Sequence, residues 1–246
     1  MSSNSKAAAR AKAAELRAAQ ARKERQRRWM TIGGGIAVMV LVVGGIIGYT
    51  VWEQNQQEKD LEAAAGQSSE YGVAIGPEDA PHTVVIYEDF LCPYCGDLED
   101  RTRDELASLA ADGKVRVEYR PFELLSQISD YSLRSTNAFA VVLEEAGPEA
   151  AKEFHDLLFE NQPPESDPDS VTDDDLVEMA VEAGAEEAAV RAGIEGLAQK
   201  SWVDEATAEA QEAGVSGTPT ILVDGEVFND GRTVDELADN LISRIE

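Results

Sequence analysis

The stretch "TVVIYEDFLCPYCG", residues 83–96, decides how this 246-residue chain is read. Residues 83–87 are a short run rich in β-branched side chains and read as a strand. Glu88 to Leu91 then lead into Cys92 and Cys95, the only 2 cysteines of the chain. Pro93 follows the first cysteine, and a helical pattern continues to about Ala111. Proline is tolerated at the first helical position because its missing N–H would be unpaired there anyway. Cys92 is thereby expected at a helix N-cap, where unpaired amide dipoles favour a thiolate. Cys95 falls one turn inside.

A pair spaced in this way has several uses. A structural zinc site needs about four Cys, His or carboxylate ligands in tight spacing. The only histidines, His82 and His155, show no such spacing to the thiols, so no metal is expected. Haem attachment through C-x-x-C-H fails because Gly96 follows Cys95. A staple closing so short a loop constrains the unfolded chain by ~2 kcal/mol, against ~4.7 for a hundred-residue loop. Redox chemistry fits better. A free thiol of pKa ~8.5 is only ~3% ionised at pH 7, whereas C-x-x-C cysteines at helix N-termini fall to ~3.5–7. Cys92 is expected as the exposed, acidic nucleophile and Cys95 as the shielded thiol that resolves a mixed disulfide. "VSGTPT", residues 215–220, adds a second feature, because Pro219 opens a strand. If the Thr218–Pro219 bond is cis, Thr218 presents free backbone N–H and C=O groups to an extended polypeptide. A trans proline that merely starts the strand is the alternative.

The net charge of −27 hides a segregation of sign. Residues 1–29 carry nine Lys and Arg against Glu15 and Glu24, a balance of +7, and the remainder stands at −34. So acidic a body excludes nucleic acid as a partner, since binding there rests on neutralising phosphates. Between Arg28 and Glu53 lie 24 uncharged residues, "WMTIGGGIAVMVLVVGGIIGYTVW". A helix of that length crosses a ~30 Å hydrocarbon core, and Trp29, Tyr49 and Trp52 sit at its ends as interfacial rings do. The basic leader is too long, and the apolar run too extended, for a cleaved signal peptide. The expectation is a signal-anchor in the cell membrane, with the N-terminus cytoplasmic and the C-terminal domain extracytoplasmic.

The organisation follows: a basic segment 1–28, a transmembrane helix 29–52, a polar stalk 53–70 and a folded domain 71–246. Within the domain, "KVRVEYR" (114–120) alternates as a second strand. About ninety residues with helical periodicity come next, with helices expected at 131–145, 148–160, 172–183 and 197–213. Strands at 218–225 and 226–230 make a hairpin around Asp224-Gly225, and an amphipathic helix closes the chain at 233–245. This is an α/β sheet with a large all-helical insertion, about 121–214.

C-P-Y-C after a strand, a helical insertion and a later T-P before a hairpin together resemble the DsbA-like thiol:disulfide oxidoreductases of the thioredoxin superfamily. "GPEDAP" (76–81) with "YEDFLCPYC" (87–95) is most similar to the membrane-anchored members of Gram-positive bacteria. The resemblance covers about residues 71–246. It implies a thioredoxin fold, Cys92 as nucleophile, Cys95 as resolving cysteine, and cis-Pro219 with Thr218 lining a substrate groove beside Pro93 and Tyr94. It implies no cofactor. It also implies cysteine-containing exported polypeptides as substrates and a quinone-linked membrane enzyme as reoxidising partner. Two departures stand out. Ile86 occupies the place, six residues before the first cysteine, where thioredoxins carry a buried acid; Glu88, on the same strand face, could substitute in proton transfer, although a charge near a strand end is more often solvated. Pro-Tyr also replaces the Pro-His of the strongest oxidants. An oxidase is the leading expectation, an isomerase or reductase using the same site the alternative, and a non-catalytic envelope protein-binding module a third reading.

Overall fold

The computed structural model describes residues 22–23, 43–52, 56, 59 and 69–246, divided into units 1–55 and 56–246. In the first unit residues 43–52 are helical, and Val43, Ile46, Ile47, Tyr49, Val51 and Trp52 are exposed. The remainder of the expected 29–52 span, most of the basic segment and most of the stalk lie outside the described residues. Among the described residues no helix is long and apolar enough to cross a membrane.

The second unit is built on the strand that ends at the cysteines. β1 (Val73–Ile75) precedes β2 (His82–Glu88), α1 (Pro93–Ala111) and β3 (Val115–Pro121). Five helices follow: α2 (Tyr131–Ala146), α3 (Pro148–Glu160), α4 (Asp173–Glu182), α5 (Glu187–Glu195) and α6 (Lys200–Glu212). β4 (Thr220–Val223), β5 (Glu226–Phe228) and α7 (Val234–Ile245) complete the chain. The sheet order is β1-β3-β2-β4-β5, with β2 and β3 parallel and the other pairs antiparallel. Consecutive parallel strands need a crossover, and α1 supplies it. β2 is central, which is why its β-branched run is continuous rather than alternating. Val84 and Ile86 enter the larger core with α1, α7 and the helical block. Val85 and Tyr87 face a smaller core closed by Ala210 and Ala213 at the end of α6.

Two elements depart from expectation. The sheet has five strands rather than four, because three-residue β1 is too short to show alternation. Helix α5 buries only Val190 and Ile194, one i,i+4 pair in an alanine-rich run. It is held instead by Asn137 of α2, whose Nδ2 donates to the Gly193 and Ile194 carbonyls at 3.3 Å. A Cβ on Gly193 would stand 3.0 Å from the Val141 side chain, so glycine permits this close approach. The β4–β5 turn matches expectation: Asp224 and Gly225 have φ of 54° and 84°, the left-handed pair that a two-residue hairpin loop requires.

Asp89, fully buried just beyond β2, ties the parts together. Its Oδ1 accepts the Leu91 N–H at 2.8 Å. Its Oδ2 accepts the Leu124 and Leu125 N–H groups at 2.8 Å and the Ser132 hydroxyl at 2.6 Å. One carboxylate thus joins the loop that carries Cys92, the loop after β3 and the first turn of α2. Asp89→Ala is expected to lower stability by about 3 kcal/mol or more, because it strands several buried donors at once. Asp204→Ala removes an exposed pair with Lys200 and should change stability by less than ~1 kcal/mol. Urea midpoints at constant m-value measure both.

Candidate active site

Cys92 is the N-cap of α1, with φ −72° and ψ 116°, and Pro93 occupies the first turn as expected. The Cys92 carbonyl accepts the Cys95 and Gly96 N–H groups at 3.0 and 3.2 Å, which closes the first turn beneath the thiol pair. Both cysteines are free. Cys95 is 1% exposed, and Cys92 only 5%, so the expectation of an exposed Cys92 is corrected. The loop before β4 crosses above it: the Thr218–Pro219 peptide bond is cis, and the Thr218 carbonyl oxygen lies 3.4 Å from Cys92 Sγ. Tyr94 is 63% exposed beside the pair, and Pro93 is exposed with it.

The two thiols act on each other, and that interaction separates their acidities. The Cys95 thiol stabilises a Cys92 thiolate and is the largest influence on it. Burial works against ionisation, while Thr218 and the Cys95 and Tyr94 amides assist it, so the Cys92 pKa falls from 9.0 to about 6. The helix N-terminus therefore contributes, but less than the partner thiol does. Burial pushes Cys95 well above 9.0, and the neighbouring Cys92 adds to the effect. One sulfur is a ready thiolate at pH 7 and the other holds its proton.

Residues without a sequence signal complete the surroundings. Gln162, just after α3, donates through Nε2 to the Phe90 and Cys92 carbonyls at 2.9 and 3.0 Å. A Cβ on Gly96 would lie 2.5 Å from the Gln162 Oε1, so glycine leaves room for this contact. Glu88 is 1% exposed rather than solvated, and its Oε1 lies 2.6 Å from His155 Nε2. Ile86 beside it is apolar core. Glu99 of α1, also 1% exposed, joins Glu88 and His155. Burial raises the Glu99 carboxyl to about 7. Burial opposes a charge on His155, but Glu88 and Asp156 outweigh it and raise the imidazole to about 9. Only spatial proximity unites these three residues, since they belong to β2, α1 and α3.

A family model described as thioredoxin matches residues 68–242. The Na(+)/H(+) antiporter NhaA 3 of Salinispora tropica is 31% identical over 68% of this chain but only 24% of its own length. The chain thus spans about a quarter of that relative. The oxidised DsbA of Mycobacterium tuberculosis is 28% identical, with 71% of this chain and 92% of that one covered and a TM-score of 0.57. The reduced disulfide bond oxidoreductase DsbG of the same organism is 25% identical, with 76% and 91% covered and a TM-score of 0.60. A parallel β2–β3 pair crossed over by a C-x-x-C helix, a cis-proline loop facing the cysteines and a family match over most of the chain place this protein in the thioredoxin family, with the DsbA-like form of its fold.

Proposed function

We propose that this protein is a membrane-tethered thiol:disulfide oxidoreductase that introduces disulfides into exported polypeptides. The observation that carries the reading is the opposed acidity of the two thiols, Cys92 at about 6 and Cys95 well above 9.0. In the oxidised form a client thiolate attacks Cys92 Sγ, the Cys92–Cys95 bond breaks, and the Cys95 sulfur leaves and takes a proton. A second client thiolate then attacks the client sulfur of the mixed disulfide. Cys92 leaves as a thiolate, which its low pKa favours. The client loses two electrons and the pair gains them. Thr218 and Pro219, with Pro93 and Tyr94 at the rim, line the groove where the client chain lies.

The stabilised thiolate supports the oxidising direction. A shift from 9.0 to about 6 favours the reduced pair at pH 7 by at most about tenfold, or ~30 mV for two electrons, which makes the disulfide the better oxidant. Pro93-Tyr94 between the cysteines, in place of the Pro-His of the strongest oxidants, keeps a second reading, the same site run as a reductase or isomerase; a measurement of the reduction potential would separate the two. As an oxidase, the chain needs a partner to regenerate its disulfide, and a quinone-linked membrane enzyme fits a tethered donor.

Cys95→Ser is expected to trap mixed disulfides with clients and Cys92→Ser to trap none, read on non-reducing gels. A binding module without catalysis would lose nothing with either change. Alkylation of reduced Cys92 should rise with pH around a midpoint near 6, because the thiolate is the nucleophile and its folded pKa is lowered. A midpoint near ~8.5 would remove the argument.

The tether rests on the +7 leader and the uncharged run at 29–52, together with the exposed apolar side chains of residues 43–52, which lipid would cover. A membrane-impermeant protease added to intact cells should remove residues 53–246. Full protection of the domain would overturn the topology.

A further inference from the structure

We propose that Glu88, Glu99 and His155 form a binding site for one divalent transition cation, zinc above all, separate from the thiol pair. The three side chains arrive from β2, α1 and α3, are each no more than 1% exposed, and offer ligand atoms all within 4.8 Å of one another. Two observations point to a ligand. Both Glu99 carboxylate oxygens and Glu88 Oε2 are buried without any hydrogen-bond partner. A shared proton could bridge two of these three oxygens at best, whereas a cation serves them together, with Glu99 able to chelate through both of its own. The second observation is the holding of the imidazole. His155 Nδ1 lies 2.9 Å from Asp156 Oδ1, and Lys152 Nζ donates to both oxygens of that carboxylate at 2.5 and 2.7 Å. This carboxylate–histidine arrangement fixes the ring and turns Nε2 inward, as it does behind metal-bound histidines.

The donor chemistry selects the cation. Imidazole with carboxylates suits zinc and its first-row neighbours, while calcium and magnesium take oxygen ligands alone. The cation displaces the Nε2 proton of His155, and two carboxylates then balance the charge of a divalent ion, so the buried site is neutral when filled. Bonds of ~2.0–2.2 Å require the donors to stand nearer ~3.5 Å apart. Small side-chain rotations achieve that, opening the 2.6 Å contact between Glu88 and His155 and drawing Glu99 in. Phe90, Tyr119 and Phe159 pack around the imidazole with ring centroids 4.5–5.8 Å away, which shuts the site from water. The cation is therefore captured as the chain folds rather than exchanged afterwards.

The test uses the full chain carrying Cys92→Ser and Cys95→Ser, so that no thiol can bind metal. It is expressed with added Zn2+, purified in detergent and passed over a chelating resin. About one zinc per chain should remain, and adding Glu99→Gln should abolish it. Expression with Co2+ should give the spectrum of a low-coordinate nitrogen–oxygen site, which decides the matter on the folded parent if Glu99→Gln does not fold. Metal-free parent protein, zinc retained equally by Glu99→Gln, or a cobalt spectrum no different from the aqueous ion would each overturn the site.

Discussion

The carboxylate of Asp89 is the constraint on which the rest of this domain depends. The strand before it is fixed by its place in the sheet, and the helix after it by Pro93 and the cap at Cys92. The four residues between are irregular backbone in a water-free interior, where every N–H needs a partner. Asp89 supplies one to Leu91 within the loop and reaches outward to Leu124, Leu125 and Ser132. Its own carbonyl accepts the Cys92 N–H at 2.9 Å. The position of the reactive sulfur is thus set by a residue that takes no part in its chemistry.

From that anchor the asymmetry of the thiols follows. Once Cys92 is held at the cap, helix geometry sends Cys95 one turn inward, into the apolar core beside Leu98 and Phe90. Low dielectric then costs Cys95 its charge, and a neutral Cys95 thiol is what can donate to Cys92. The same burial therefore raises one pKa and lowers the other. The cis-proline loop completes the site from the opposite end of the domain's sequence, because β4 lies beside β2 in the sheet and its start faces the end of β2.

The sequence made the thiol pair, its helix and the central strand legible because each rests on local chemistry: a cap, a proline at the first turn, a β-branched run; that Thr218–Pro219 faces the pair came from the resemblance to the DsbA-like family. The helical block was legible where its apolar period was strong, as in α2 and α3, and not in α5, whose place depends on the buried amide of Asn137. What remained invisible was contact across long separations. Glu88 reads as a solvated charge at a strand end until His155, 67 residues later, is seen against it. Glu99 reads as one more acidic residue in an acidic helix. Gln162 sits in a turn-rich stretch with nothing to mark it. Asp89, in a run of acidic and aromatic residues, gives no sign of its four donors. The exposure expected for Cys92 failed for the same reason, since the loop that covers it lies 126 residues away.

The separation of the thiol acidities also links redox state to stability. The folded pKa of Cys92 is depressed from 9.0 to about 6, so reduced protein gains stability from this group as pH rises above 6, in full only beyond 9, and loses it as pH falls through 6. Cys95, held protonated by burial, subtracts from stability only above the pH at which an unfolded thiol would ionise. Between pH 6 and 9 the reduced fold therefore gains on the oxidised fold, which has no thiolate to stabilise. Whatever stability the thiolate adds to the reduced fold is, by linkage, added to the tendency of the disulfide to be reduced. In this domain the lowered pKa of Cys92 and the packing of Cys95 into the core are consequences of one placement, made at Asp89.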